Sequence, residues 1–313
     1  MVKVRYRGGV YIEIDGKIVV ADPRSRLKER ADLVLVSHAH QDHYNLRALL
    51  DIPRTPKIMS KATLDIIDPS RRLSNVYVLE DGESIEINGL TVEAYNSGHV
   101  IGSLQFAIHG RETVVYTGDI NLEQRIILSP AKVLKTDVLI IETTYGRPDY
   151  RFPPRPALYR ELLSIMKEKL EEGRPIFFGA RQLGVSQELT AIISLSGLAT
   201  PVVQPSIGRF NRLYEKYGII LGSYVIAEGK NSLSAPHITK LSESRRQRQF
   251  PCTGWAVKWS RGIPISSHGD FEQLLLYCIE SGAEKVYTVF GFTKHFSEVL
   301  REQGIDAEPA PTR

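Results

Sequence analysis

Ser37-His38-Ala39-His40-Gln41-Asp42-His43 decides how this chain reads. It follows Ala31-Asp32-Leu33-Val34-Leu35-Val36, a run apolar enough to be a buried strand. Side chains of an extended segment alternate between faces, so His38 and His40 point the same way. Asp42 and His43 follow where the chain turns toward a helix. Imidazole nitrogens and carboxylate oxygens are ligands for Zn²⁺, Mn²⁺ or iron. Three or four of them around an open position suit catalysis rather than structure. The chain has eight histidines, and three lie between residues 38 and 43, which weighs against a merely solvated turn.

Working outward, the bulk properties bound the setting. A chain of 313 residues with 42% hydrophobic content can bury one large core or two of moderate size. No stretch reaches the roughly 18 to 20 continuous apolar residues that span a bilayer, and Met1-Val2-Lys3-Val4-Arg5-Tyr6-Arg7 lacks the apolar core of a secretory signal. The expected location is cytoplasmic, with no membrane partner. Cys252 and Cys278 have no CxxC spacing, so neither a disulfide framework nor a thiolate zinc site is indicated. The net charge of +4 suits a polyanionic partner without requiring one.

Upstream of the histidines, Val10–Ile14 and Lys17–Ala21 alternate around Asp15-Gly16, a strong hairpin signal. Asp22, before Pro23, reads from its neighbours as a turn residue. Asn45–Leu50 reads as a helix. Downstream, His99 lies in Asn96-Ser97-Gly98-His99-Val100-Ile101-Gly102-Ser103 between two strands. A histidine flanked by glycines in a tight connection has little core to satisfy it and reads as a ligand. The strand Thr113–Thr117 ends in Gly118-Asp119, and Thr136–Ile141 ends in Glu142. Strand after strand thus places a metal-competent or acid/base residue past its carboxyl end, where an α/β protein assembles its active site. The two oxygens of Asp119 can bridge a pair of metals, so the set fits a binuclear hydrolase.

Together His38-Ala-His40-Gln-Asp42-His43, Gly98-His99 and Gly118-Asp119 resemble the metallo-β-lactamase superfamily. That resemblance implies an α/β fold, an αββα sandwich with metals at the lip between two sheets, and makes Asp22 a hydrogen-bonding support. Glu142-Thr143-Thr144-Tyr145-Gly146 resembles motif A of the β-CASP branch, and Pro264-Ile265-Ser266-Ser267-His268-Gly269-Asp270 its motif B. The resemblance then implies an inserted α/β cap at 147–262, between sandwich segments 1–146 and 263–313. It implies a Zn²⁺ site at His38, His40, His99 and Asp119, with Mn²⁺ or iron as alternatives, and a second site at Asp42, His43 and Asp119. It gives His268 the role of proton donor with Glu142 behind it, and lets Asp42 orient water. It also implies a nuclease.

The chain departs from the branch at one motif. RNA-processing members carry a ligating histidine in a Val-x-x-x-His-Gly context, where this sequence has Val286-Tyr-Thr-Val-Phe290-Gly291. Phenylalanine cannot ligate, so one site is expected firm and the other conditional, and His295, five residues on, reads as an exposed helix histidine rather than as a substitute ligand. DNA-processing members also lack that histidine. The layout is similar to ligase-associated exonucleases, which tilts the expectation toward single-strand DNA processing and repair. RNA processing is the alternative, followed by small-molecule hydrolysis or a non-catalytic binding role. Arg147 and Arg151 in a proline-rich connection, Arg209 and Arg212 beside aromatic residues, and Arg245, Arg246 and Arg248 are candidate backbone-neutralising contacts. A helix over 158–172 and a strand over 174–178 are expected in the insertion.

Overall fold

The structure is a computed structural model describing residues 2–228, 235–244 and 250–312. These form two compact units, one comprising Met1–Leu122, Pro130–Asp149 and His268–Arg313, the other Glu123–Ser129 and Tyr150–Ser267.

The first unit begins with a six-stranded sheet in sequential order: β1 (Lys3–Tyr6), β2 (Val10–Ile14), β3 (Lys17–Ala21), β4 (Leu33–Leu35), β5 (Lys57–Met59) and β6 (Val76–Val78). The β2–β3 hairpin pairs Ile14 with Lys17, and its turn residues Asp15 and Gly16 both have positive φ, 49° and 74°. That is the two-residue turn an Asp-Gly pair favours, because both positions must be left-handed. From β3 onward the pairing is parallel. Helix α1 (Leu46–Leu50) is capped by the Asn45 side chain, which accepts the Ala48 N–H, and α2 (Lys61–Ile67) by Ser60, which accepts that of Thr63.

A second sheet follows with β7 (Ser84–Ile87), β8 (Leu90–Asn96), β9 (Leu104–His109), β10 (Thr113–Tyr116) and β11 (Val138–Glu142). The chain then enters the second unit through α3 (Arg155–Glu171), β12 (Phe177–Ala180), α4 (Val185–Leu195), β13 (Val202–Val203), α5 (Pro205–Lys216), β14 (Val225–Ile226), β15 (His237–Lys240), α6 (Leu241–Ser244) and β16 (Phe250–Pro251). Helix α7 (Phe271–Ser281), β17 (Lys285–Val289), α8 (Thr293–Glu302) and β18 (Ala307–Pro309) complete the first unit, whose second sheet runs β18-β17-β11-β10-β9-β8-β7.

Period-two alternation in the second sheet separates its two faces. Phe106, Ile108, Val114, Tyr116, Val138 and Ile140 join Ile12, Val19, Leu33 and Leu35 of the first sheet in one core. The intervening Ala107, Val115, Leu139 and Ile141 pack with Phe271, Leu274 and Tyr277 of α7 and Phe296 and Leu300 of α8. The first unit is thus the αββα sandwich that the motifs implied.

The second unit has its own parallel sheet, β14-β13-β15-β12-β16, and its own core around Leu162, Phe178, Leu189 and Ile238. Helix α3 starts at Arg155, three residues before the expected 158, because Pro156 suits a first turn that needs no N–H. The strand expected over 174–178 runs instead from Phe177 to Ala180, since Pro175 cannot donate to a ladder. Arg125 and Glu188 form an ion pair with no exposed side-chain surface, and Tyr159 donates to Glu188 at 2.6 Å. Two buried charges in contact satisfy each other where neither could remain alone.

Gly118, just beyond β10, has φ +54°, and a Cβ there would lie 2.6 Å from Ser37 Cβ. Gly118→Ala is expected to cost about 2–4 kcal/mol, combining left-handed strain with that collision. Gly89→Ala, at φ +76° with nothing within 4 Å of the added carbon, is expected to cost about 1 kcal/mol. Chemical denaturation of the two variants checks the difference.

Candidate metal centre

Most chemistry-bearing side chains of the first unit sit at or just past the end of a strand. His38, His40 and His43 follow β4, His99 lies between β8 and β9, and Asp119 follows β10. Glu142 ends β11, and His268 stands immediately before α7, whose N-cap Asp270 accepts the Gln273 N–H. The loop carrying His99 is held by close packing. A Cβ on Gly98 would fall 2.3 Å from the Asn121 carbonyl, and Ser103 Oγ accepts the N–H groups of His99 and Val100. His99 is consequently fully buried, not set in a loop lacking core.

His40 Nδ1 lies 3.0 Å from both His38 Nε2 and His99 Nε2. Asp119 Oδ2 is 3.4 Å from His38 Nε2, 3.4 Å from His99 Nε2 and 3.3 Å from His43 Nε2. A ring nitrogen carries one proton or one lone pair, so His40 Nδ1 cannot form a full hydrogen bond with two imidazoles at once. A tetrahedral ion with bonds of about 2.0–2.1 Å keeps its donors about 3.3 Å apart, close to this spacing. His38, His40, His99 and Asp119, all buried, therefore fit a divalent metal.

Behind these donors stands Asp22, itself completely buried with φ 49°. Its Oδ1 accepts the Ser37 N–H at 2.7 Å. Its Oδ2 accepts Ser37 Oγ–H at 2.6 Å, the Tyr116 hydroxyl at 2.7 Å and His43 Nδ1–H at 2.7 Å. Because Ser37 Oγ spends its proton on Asp22, it accepts from His38 Nδ1 at 2.9 Å, which leaves the lone pair of His38 on Nε2, facing the metal position. The same carboxylate accepts from His43 Nδ1, which turns Nε2 toward Asp119 Oδ2 at 3.3 Å. Burial opposes a charge on His43, yet Asp119 and the bonded Asp22 outweigh it and hold its pKa up to about 9, with Asp42 contributing. Burial and Asp22 push the Tyr116 phenol well above its ordinary value, so it remains a donor.

A second pair adjoins the cluster. His268 Nδ1 is 3.0 Å from each Glu142 oxygen, and His268 Nε2 is 3.8 Å from Asp119 Oδ2. Burial raises the Glu142 pKa, but His268 and the N–H groups of Thr144 and Ile120 bring it below the usual carboxylate value. Glu142 is then an acceptor, His268 donates through Nδ1, and Nε2 is the position that exchanges protons toward the metal side.

Asp42 is exposed and belongs to none of the three buried groups of possible ligands among the described residues. Phe290 adopts φ 58°, a conformation costly for a bulky side chain, and its ring meets His43 edge-on at 5.0 Å and Tyr6 at 5.9 Å. His295 is exposed on α8. Arg147, paired with Asp149, and Arg151, Arg209 and Arg212 are all exposed, whereas Arg245, Arg246 and Arg248 lie outside the described residues. Sequence reasoning missed Ser37 and Tyr116 as partners of Asp22. The serine directly before His38 was the available signal, and nothing marked Tyr116 among the apolar residues of β10.

Two outcomes follow from Asp22. Asp22→Ala is expected to weaken divalent-metal binding about 10- to 100-fold, measured by competition with a chromogenic chelator. In metal-free protein the raised pKa of His43 contributes stability that is complete below about pH 6.5 and lost as pH rises through about 9. The denaturation midpoint of chelator-treated protein should fall across that window, and His43→Gln should flatten the slope.

Residues 7–143 match the family described as a β-lactamase superfamily domain. A chain named "Probable DNA ligase" from Opitutus terrae is 29% identical over 292 residues, covering 87% of this chain and 28% of that one. An RNase J-like protein from Methanocaldococcus jannaschii is 30% identical over 183 residues, 52% of this chain and 43% of that one. RNase aCSPSF2 from Saccharolobus solfataricus is 25% identical over 201 residues, 56% and 40% respectively. The chain thus spans less than half the length of these relatives. A solved protein of unknown function from Enterococcus faecalis V583 shares the fold, with a TM-score of 0.64 at 15% identity over 100% of this chain and 98% of that one. No helix among the described residues is long and apolar enough to cross a membrane. The αββα sandwich and the buried histidine and aspartate cluster agree with the family match, so residues 7–143 carry a β-lactamase superfamily domain.

Proposed function

We propose that this protein is a metal-dependent nuclease that hydrolyses phosphodiester bonds of single-stranded DNA as an exonuclease. The observation that carries this reading is the placement of a carboxylate-backed imidazole beside a metal seat, with His268 Nε2 3.8 Å from the ligand oxygen of Asp119. Zn²⁺ is the ion that a set of three histidines and one carboxylate favours. Bound at His38, His40, His99 and Asp119, it would supply Lewis acidity to a phosphate oxygen and acidify a water. A second ion would take His43 and Asp119, with Asp42 outside the buried groups and the Phe290 ring against the histidine, which keeps that seat conditional.

The chain's own residues perform the rest. His268 gives the proton at Nε2 to the departing oxygen, which would otherwise leave as a strongly basic alkoxide. Glu142 accepts from Nδ1 throughout and so fixes the ring and stabilises the protonated form before transfer. Asp42, exposed at the turn, orients the attacking water. Arg147, Arg151, Arg209 and Arg212 neutralise phosphates away from the reacting bond.

DNA is favoured because the match covering 87% of this chain is to a relative named as a DNA ligase, whereas the matches to the two relatives named as RNases cover 52% and 56%. RNA is the second reading, since the identities to those RNases, 30% and 25%, are comparable with 29%.

End-labelled DNA and RNA strands, with and without a 5′-phosphate, digested across a series of Zn²⁺, Mn²⁺ and Fe²⁺, test both readings. Progressive shortening of DNA from one end is expected. Cleavage of RNA with DNA left intact would transfer the activity to the second reading, and hydrolysis of a lactam or thioester with both strands untouched would overturn the nuclease. His268→Ala is expected to lower kcat about 10²- to 10⁴-fold with metal content unchanged, measured by single-turnover cleavage and metal analysis.

A further inference from the structure

Both tryptophans of the chain lie in one loop of the second unit, Trp255 and Trp259, and both are exposed, at 36% and 39%. The loop is closed at its base. Cys252 bridges Ile263, the Thr253 N–H donates to the Ile263 carbonyl at 3.1 Å, and the Ile263 N–H donates to the Pro251 carbonyl at 2.9 Å. Gly262, at φ +133°, completes the closure where a Cβ would fall 2.8 Å from the Pro251 carbonyl. Cys252, Ala256 and Ile263 are buried and anchor the loop from within.

Residues Gly254–Lys258 form a 3₁₀ turn, and a 3₁₀ helix brings side chains three apart onto one face. Trp255 and Lys258 are such a pair. Both rest on the buried ring of Tyr150, Trp255 edge-on at 5.1 Å and the Lys258 ammonium 4.3 Å from the ring centroid. Arg261 is held in the same manner, 4.4 Å from the Phe250 ring centroid. The segment from Thr253 to Gly262 contains these two cations and no acidic residue. Large aromatic surface kept in water beside cations already fixed in place is poor use of tryptophan in a soluble fold, but it suits a ligand with flat faces joined by anions.

We propose that the Thr253–Gly262 loop binds single-stranded nucleic acid, with Trp255 and Trp259 stacking on bases and Lys258 and Arg261 meeting the phosphates between them. The inference rests on the nuclease reading and adds a strand-binding site outside the metal centre. Since Lys258 and Arg261 are already positioned by aromatic rings, little side-chain entropy is lost when a strand arrives.

The test uses intrinsic fluorescence, because every tryptophan of the chain reports from this loop. Full-length protein held in chelator, which prevents cleavage, is titrated with oligothymidylate and oligouridylate while emission is followed, and binding is measured in parallel with end-labelled strands. Saturable quenching is expected with the strand the enzyme cleaves. Trp259→Ala is expected to weaken binding about 5- to 150-fold, the range for loss of one stacked base, and Trp259→Phe to restore most of it. Lys258→Gln should reduce the salt dependence of log K by about 0.7, the value for one phosphate on a single strand. Circular dichroism of the variants separates lost stacking from lost folding, and Trp259 serves better than Trp255 because Trp255 also packs on Tyr150. Strands that bind without changing emission, together with unchanged affinity in Trp259→Ala, would overturn the loop assignment while cleavage by wild type left the nuclease reading standing. Failure of wild type either to bind or to cleave any strand would overturn both.

Discussion

A single buried carboxylate organises the centre of this protein. Asp22 accepts four hydrogen bonds from three places, namely the backbone and hydroxyl of Ser37 after β4, the phenol of Tyr116 in the other sheet, and the imidazole of His43. A carboxylate without water is stable only when donors replace its hydration, and here the donors come from both sheets, Ser37 and His43 after β4 of the first and Tyr116 from β10 of the second. The requirement works in both directions. The donors keep the anion charged, and the anion fixes which nitrogen of His38 and His43 carries a proton and joins the two sheets at the edge where the metal ligands emerge.

The three buried carboxylates of the site divide their work by what surrounds them. Asp22 is saturated by donors and only orients. Asp119 turns Oδ2 toward His38, His43 and His99. Glu142 faces one imidazole and two backbone N–H groups, which makes it the partner of His268 alone. The Ile120 N–H that the Glu142 carboxylate accepts also ties neighbouring elements, since Ile120 is the residue directly after Asp119. A displacement of either carboxylate is therefore felt by the other.

Much of this was legible in the sequence because the signals were local. The Asp-Gly hairpin, the short helix at Asn45–Leu50 and the rule that strand ends carry chemistry each depend on residues within a few positions of one another. What escaped depended on distant parts of the chain. Asp22 looks like a turn residue from its neighbours, its supporting role came through the family resemblance alone, and its partners Tyr116, 94 positions away, and Ser37 emerge only in the fold. His99 seemed to lie in an open connection, but Asn121 and Ala131 close over Gly98 and bury it. The strained backbone of Phe290 and the exposure of Trp255 and Trp259 are likewise tertiary facts that periodicity does not encode.

The pairing of β11 with β17 sets Glu142 beside Val289, adjacent strands whose partners are 147 positions apart in sequence. Closing a flexible loop of that length carries an entropic cost of about 4 kcal/mol from its length alone. A second unit with its own core shortens the flexible path and lowers that cost. During synthesis the order has a further effect. His38, His40, His99 and Asp119 leave the ribosome long before His268 and β17, so a nascent chain acquires its ligands first and its proton donor last. Timing is thereby written into topology: the site cannot be complete until the insertion has been made and the sheet has closed behind it.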